Sequence, residues 1–213
     1  MGEQNLKSCT AFKGNKRVAS GNLLKVAIKV KEIIDQDEQA SIFIFDDDTS
    51  ELVEVDFRGA IEDVLERLET ATAGEESTNA SSDTDQRSQR GPGRPKLGVV
   101  SREVTLLPRH WDWLNSQPGG ASVALRKLVE EARRVNSGKD KVRHSQEVAY
   151  RFMSAMAGNF PGFEEATRAL FAGDPVRFDS FVASWSVDIR DHARKLAEAA
   201  FQNRVCAEGA LNK

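Results

Sequence analysis

A run of small and polar residues divides the chain and limits what it can fold into. Residues 70–90 read TATAGEESTNASSDTDQRSQR, in which alanine is the only apolar residue type. Such a segment buries too little apolar surface to offset the entropy of ordering it, so we predict a disordered linker over 70–98. The 213-residue chain is therefore expected to fold in separate parts on either side of this linker.

Charge is distributed unevenly over these parts, although the whole chain has a net charge of only −3. Residues 1–86 carry 9 basic and 19 acidic side chains, residues 87–143 carry 13 and 5, and residues 144–213 carry 8 and 9. A basic segment within an acidic chain is typical of an element that binds a polyanion. A solvated helix face is the alternative interpretation of the same charges.

The N-terminal part, residues 1–69, has the pattern of a small acidic α+β domain. Residues 9–20 predict two short strands around a Gly-Asn turn, and NLLKVAIKVKEIIDQ predicts a helix capped by Asn22. SIFIF, an acidic turn and LVEVDF predict a second pair of strands, and RGAIEDVLERLET predicts a second helix. The predicted order is therefore ββαββα.

Residues 99–138 predict a strand, a short helix, a glycine turn and a longer helix. The extended run VVSREVTLL ends at Pro108, and proline is favoured in the first turn of a helix. Pro118 and two glycines end this short helix, and Ser122 is placed to cap the next one, VALRKLVEEARRV.

The C-terminal part, residues 139–213, is predicted to be a helical bundle. Lys139–Arg143 is interpreted as a basic connector, and about four helices with short connections follow it. The part is rich in phenylalanine, which favours a helical core; an apolar effector pocket between helices is the alternative interpretation. The fold class predicted for the whole chain is α+β.

The middle segment resembles the ribbon-helix-helix family of DNA-binding proteins. REVTLLP at 102–108 matches the strand and helix start of that family, and GASVALR at 120–126 matches the Gly-x-Ser-x-x-Leu-Arg pattern that opens its second helix. In that family two chains pair their strands into an antiparallel ribbon, which enters the major groove of DNA. The resemblance implies a homodimer through strand 102–107, whose unpaired backbone needs a partner.

The residue pattern of this strand leaves two registers open. If Leu107 faces the core, Arg102 and Leu106 point outward; if Leu106 faces the core, Thr105 points outward. Either register offers few hydrogen-bond donors to bases, so a segment that dimerises without reading DNA is the alternative interpretation. The predicted dimer contacts are Val104, Leu106, Leu107, Trp111, Leu114, Leu125, Leu128 and Val129.

Two basic elements are candidates for contact with DNA. The start of the second helix offers free backbone N–H groups to a phosphate. The stretch RGPGRPK resembles the AT-hook, whose Gly-Arg-Pro core fits a narrow minor groove; an extra Gly-Pro displaces its first arginine, and a Pro/Gly hinge is the alternative interpretation. The predicted DNA contacts are Arg90, Arg94, Lys96, Arg102, Thr105, Ser122, Arg126 and Lys127.

No residue pattern in the sequence points to an enzyme, a metal site or a cofactor. The three histidines are isolated, and no Walker, Gly-x-Ser-x-Gly or dinucleotide-binding pattern occurs. Asp46–Asp48 is predicted to be an acidic hairpin turn rather than a cation site, and His192 is predicted to lie on a helix surface.

Two longer stretches, GRPKLGVVSREVTLLPRHWDWL and YRFMSAMAGNFPGFEEATRALFAGD, are similar to a bacterial family known as a domain of unknown function. This resemblance covers most of the chain and implies no activity. Cys9 and Cys206 lie far apart in the sequence, so we expect no disulfide framework. With no apolar run of membrane-spanning length and no hydrophobic signal core, we expect a cytoplasmic protein without a membrane partner.

The sequence therefore predicts a dimeric bacterial DNA-binding protein that regulates transcription, with DNA and a second copy as partners. The alternative is a protein-interaction or scaffold module in which the ribbon-helix-helix-like segment serves only for dimerisation. The opposite charges also suggest an intramolecular contact between the acidic N-terminal part and the basic middle segment, which salt would weaken.

Overall fold

The computed structural model describes residues 7–37, 39–78, 100 and 102–211. The chain divides into two compact units: residues 1–80 with 138–213 form unit 1, and residues 81–137 form unit 2. The described residues contain a three-stranded antiparallel sheet near the N-terminus and seven helices, which confirms the predicted α+β class. No helix in these ranges is long and apolar enough to cross a membrane.

The sheet of unit 1 consists of β1 (Ser8–Lys13), β2 (Lys16–Asn22) and β3 (Ile42–Asp46) in the order β2-β1-β3. Gly14, with φ of 54°, forms the predicted hairpin turn between β1 and β2. Helix α1 (Leu23–Gln36) follows β2, and the side chain of Asn22 accepts a hydrogen bond from the backbone N–H of Leu24 at 2.8 Å. The predicted helix cap is therefore confirmed.

The fourth strand predicted from LVEVDF is wrong. Only an isolated bridge joins Leu52 to Phe45, and helix α2 (Ile61–Thr78) follows after an irregular segment. Residues 70–78, predicted as the start of the disordered linker, are therefore helical, and the rest of the predicted linker, 79–98, lies outside the described residues. Val53, Val55 and Phe57 are half-buried against the sheet, so the alternation of apolar residues reflects side-chain packing rather than strand pairing.

Each face of the sheet packs against a different set of helices. Cys9 and Ala11 of β1 pack against the apolar face of α1, whereas Phe12 of the same strand points into a core formed with the C-terminal helices. This division follows from the alternation of side chains along a strand. The rings of Phe12 and Phe45 lie 5.4 and 5.2 Å from that of Phe152.

Segments 1–69 and 139–213, predicted from the sequence as separate domains, thus contribute side chains to one core. Tertiary contacts of this kind join residues more than 100 positions apart, and local periodicity carries no information about them. The helices that complete the described fold are α3 (Pro108–Ser116), α4 (Gly120–Ala157), α5 (Phe163–Ala172), α6 (Pro175–Val182) and α7 (Val187–Leu211).

The basic connector predicted at Lys139–Arg143 is wrong, because α4 continues through it without interruption. Lysine and arginine have high helix propensity, so a run of them does not end a helix. Arg143 also donates a hydrogen bond to Asp140, three residues earlier, at 2.8 Å. Such pairs stabilise the exposed side of a helix.

Candidate nucleic-acid interface

Helix α3 begins at Pro108, as predicted, because proline at the first helical position loses no hydrogen bond. Leu107 is the residue that precedes the helix; it is extended and makes no side-chain cap. Residues 102–107 have no regular secondary structure in the single chain. Leu114 is the residue of α3 that is buried, at 3 % exposure.

The turn between α3 and α4 depends on glycine. Gly119 and Gly120 have φ of 88° and 74°, and a Cβ on Gly119 would lie 3.2 Å from the Val123 side chain. Helix α4 begins at Gly120, so the prediction that Ser122 caps it is wrong: Ser122 lies inside the first turn. Because Gly119 and Gly120 adopt the positive φ of the turn, the helix begins at Gly120, two residues before the serine that was predicted to cap it.

The predicted DNA-contacting side chains of unit 2 are exposed. Arg102 and Thr105 lie on the irregular segment, and Ser122, Arg126 and Lys127 lie in the first two turns of α4. The Arg126 guanidinium folds back along the helix and donates from Nε to the carbonyl oxygen of Ser122 at 3.1 Å. Arg90, Arg94 and Lys96 lie outside the described residues.

Most of the predicted dimer contacts are exposed in the single chain. Leu106 and Leu125 are half-buried, and Leu114 is buried within its own chain. The exposed ones are Val104 at 53 %, Leu107 at 50 %, Trp111 at 36 %, Leu128 at 48 % and Val129 at 57 %.

The acidic side chains of α4 near this surface are paired. Glu130 accepts from Arg133 at 3.4 Å, and Glu131 accepts from Arg134 at 2.8 Å. The hydrogen bond with Glu131 also raises the pKa of Arg134. By contrast, Arg102, Arg109 and Lys127 have no ion-pair partner in the part of the chain that the structure describes. Sequence reasoning did not select Arg109, although it follows Pro108 on the same exposed turn.

Residues 8–197 match DUF2239, a family described as an uncharacterized protein conserved in bacteria. The chain belongs to this family. The match confirms the resemblance to a bacterial family of unknown function and spans the acidic, basic and helical parts alike. No curated protein and no solved structure matches the chain.

In this DUF2239 member, the acidic turn after β3 is built from side-chain hydrogen bonds, as predicted. The Asp46 carboxylate accepts from the backbone N–H groups of Asp48 and Thr49 at 2.8 and 3.0 Å. Asp47 accepts from the hydroxyls of Ser8 and Thr10 at 2.7 and 2.6 Å. Within the described ranges, no group of three or more His, Cys, Asp or Glu side chains is arranged to hold a metal ion.

The prediction that His192 lies on a helix surface is wrong, because its side chain is 3 % exposed in the aromatic core. Its ring lies 4.5 Å from that of Phe152 and 5.4 Å from that of Phe12. Burial lowers the pKa of His192 to about 4, and the charge of Lys195 acts in the same direction. The signal was present in the sequence, since Ile189, Ala193 and Leu196 place His192 on the apolar face of α7.

Proposed function

We propose that this chain is a DNA-binding protein, a dimeric bacterial transcriptional regulator that contacts DNA through a paired β-ribbon and an adjacent basic stretch. The observation that carries the proposal is the surface of unit 2. It presents arginine and lysine side chains without ion-pair partners in the described residues, next to exposed apolar side chains. A polyanion would neutralise the basic side chains, and a second copy would cover the apolar side chains.

The ribbon would form from residues 102–107 of two chains. The backbone N–H groups of residues 102–106 donate no hydrogen bond within the described chain, and Leu107 is extended. Unpaired extended backbone is a template for pairing with another strand. Two antiparallel strands fit the major groove, where Arg102 or Thr105 would face the bases according to the register.

The first turn of α4 would bind a phosphate of the DNA backbone. The N–H of Gly120 donates to the carbonyl oxygen of Gln117 at 2.9 Å, but the N–H groups that follow it are those that an α-helix leaves without an internal partner. No acidic residue lies in this turn to compete with an anion. The guanidinium of Arg126 lies over Ser122, within 3.5 Å of its hydroxyl, which adds positive charge at the same place. Lys127 would add a further contact about one turn beyond Ser122.

The basic stretch before unit 2's described residues would bind the minor groove through Arg94, flanked by Arg90 and Lys96. This part of the proposal rests on the sequence RGPGRPK. An extended Gly-Arg-Pro unit is thin enough for the minor groove, whose negative potential is strongest in narrow A·T tracts. Arg94→Ala should therefore weaken binding to A·T-rich duplex more than binding to G·C-rich duplex; equal weakening on both would remove the minor-groove role.

A salt titration of duplex binding tests the proposal as a whole. We expect the affinity of the full chain for a mixed-sequence duplex, measured by fluorescence anisotropy, to fall steeply between about 50 and 200 mM salt, because each phosphate contact releases counterions. The double variant Arg102→Ala/Lys127→Ala should bind more weakly and show a shallower salt dependence. Arg168→Ala is the matched control, since Arg168 is exposed but paired with Glu164 in unit 1. Absent or salt-independent binding would contradict the proposal.

The second candidate function is a protein-interaction or scaffold module. The exposed Trp113, at 51 %, favours it, because a large aromatic side chain on a surface is more typical of a protein interface than of a phosphate contact. A stable dimer that fails to bind any duplex at 50 mM salt would support this function over DNA binding.

A further inference from the structure

A cleft lies between α6 and the middle of α7, within unit 1. Its volume is about 350 Å³, toward the lower end of the roughly 300–1,000 Å³ that is typical of small-molecule sites. Both apolar and charged side chains line it, a combination that holds the body of a ligand and fixes its orientation. The lining includes Phe178, Asp179, Arg194, Glu198, Phe201 and Gln202.

Two phenylalanine rings form the apolar part of the lining. Phe178 of α6 is 1 % exposed, and Phe201 of α7 is half-buried. Their ring centroids lie 5.8 Å apart in an edge-to-face arrangement, with an interplanar angle of 73°. This contact joins the two helices that border the cleft, so the apolar surface is formed before any ligand arrives.

The charged groups of the lining do not all neutralise one another. Arg194 donates from Nε to the carboxylate of Asp179 on α6 at 2.9 Å. Glu198 lies four residues after Arg194 on α7, an interval at which helix side chains often pair, but the guanidinium bonds across the cleft to α6 instead. Among the described residues, the Glu198 carboxylate therefore has no ion-pair partner.

A neutral amide holds this carboxylate in place. Gln202, one turn further along α7, donates from Nε2 to Oε1 of Glu198 at 3.0 Å. The other carboxylate oxygen, Oε2, accepts no hydrogen bond from any residue that the structure describes. The amide thus orients the carboxylate but leaves its negative charge available beside the two rings.

We propose that this cleft binds a small organic amine, with its ammonium group on Glu198 and its apolar body against Phe178 and Phe201. Two carboxylates and one guanidinium give the lining a net negative charge, which favours a cation over an anion or a neutral molecule. An ammonium group donates a strong, charge-assisted hydrogen bond to a carboxylate, and aromatic rings also attract cations.

The size of the cleft favours a small molecule over a protein surface. A cavity of about 150 Å³ is enough to hold benzene, so this cleft has room for a ring and a short amine arm. A stable protein interface, by contrast, covers about 800 Å² on each partner, far more than a cleft between two helices offers. The inference goes beyond the proposed function and does not depend on DNA binding.

Titration of the full chain with three matched probes tests the ligand class. We expect phenethylamine to cause saturable shifts of the backbone amide signals of α6 and α7 in NMR spectra. Phenethyl alcohol has the same ring without a charge, and hydrocinnamate carries the opposite charge, so both should bind at least about ten-fold more weakly. Equal binding of all three probes, or no saturable shift in α6 and α7 up to about 10 mM phenethylamine, would overturn the proposal.

A charge-removing variant tests the role of Glu198. Glu198→Gln keeps the size of the side chain and should weaken phenethylamine binding by about ten-fold or more, while the weak binding of phenethyl alcohol stays unchanged. Asp191→Asn is the matched control, since Asp191 lies on the same helix, pairs with Arg190 at 2.9 Å and does not line the cleft. Unchanged phenethylamine binding in Glu198→Gln, or an equal loss in Asp191→Asn, would overturn the proposal.

Discussion

Units 1 and 2 differ most in how much of their apolar surface they bury. Unit 1 encloses an aromatic core around Phe12, Phe45 and Phe152, whereas Leu114 and Ala124 are the buried residues among those described in unit 2. Of the 15 large hydrophobic side chains exposed in the described chain, 8 belong to unit 2. Unit 1 therefore carries a core of its own, while the described residues of unit 2 leave most of their large apolar side chains exposed.

The largest effect is expected from truncating the centre of unit 1. Phe152→Ala removes a ring that contacts Phe12, Phe45 and His192, and should lower the free energy of unfolding by about 3–5 kcal/mol. Urea unfolding followed by circular dichroism measures the loss. Phe171→Ala, which truncates a ring that is 46 % exposed, is the control and should cost less than about 1 kcal/mol. If Phe152→Ala and Phe171→Ala lower the free energy of unfolding by similar amounts, Phe152 is not at the centre of the hydrophobic core.

The second prediction concerns acid sensitivity of the same core. The pKa of His192 is about 4 in the folded chain against 6.5 for the free side chain, so the unfolded chain binds the extra proton between these values. The neutral, buried imidazole of His192 therefore makes its full contribution to folding stability above pH 6.5, and this contribution is lost as the pH falls from 6.5 to 4. We expect a loss of about 3 kcal/mol over this window, measured by urea unfolding at a series of pH values.

His192→Gln separates this titration from that of other groups, because glutamine does not take up a proton. The variant should be less stable at neutral pH but should lose less stability between pH 6.5 and 4 than the wild type. His144→Gln is the matched control on an exposed site of α4 and should follow the wild-type curve. If His192→Gln retains the full acid dependence, the burial of the neutral imidazole is not its cause.

Local features of the sequence predicted the local features of the fold. The Gly-Asn hairpin, the cap at Asn22 and the helix start at Pro108 all depend on backbone preferences of a few neighbouring residues, which the sequence carries explicitly. The irregular segment in place of LVEVDF was not predictable in this way, since alternation indicates one buried face but not whether the backbone finds a strand partner.

The parts that could not be predicted depend on contacts distant in sequence. Nothing near Phe12 or Phe45 indicates that their partners are Phe152 and His192, because that core forms only when the sheet meets the C-terminal helices. For the candidate interface, Arg102 and Lys127 are exposed, and their contacts with DNA stay a prediction. Which register residues 102–107 adopt depends on a second chain, so neither the sequence nor a single chain determines it.

The third prediction concerns the local stability of unit 2, which buries few of its described residues in the single chain. Leu114→Ala should lower the local stability of α3 by about 2 kcal/mol, the low end of the range for truncating a buried leucine, because Leu114 and Ala124 are the buried residues among those described in unit 2. Amide hydrogen exchange of α3 and α7 measures the change: exchange in α3 should accelerate, while exchange in α7 should not. Trp113→Ala, next in sequence but exposed, is the control. If amide exchange in α7 accelerates as much as in α3, the effect of Leu114→Ala is not local to unit 2, and the predicted difference in local stability between the two units is wrong.

The smallest effect contrasts the first turns of two helices. In unit 1 the Asn22 side chain caps α1, whereas α3 in unit 2 begins after Leu107 without a side-chain cap. Asn22→Ala should therefore lower the free energy of unfolding of unit 1 by about 1 kcal/mol, and Asn22→Ser should recover most of it, because serine offers an equivalent acceptor. Leu107→Ala has no capping bond to lose, so any loss it causes must come from apolar packing. If Asn22→Ser is as unstable as Asn22→Ala, Asn22 does not stabilise α1 through its hydrogen bond with the N–H of Leu24. The presence of a side-chain cap on α1 and its absence on α3 would then have no energetic consequence.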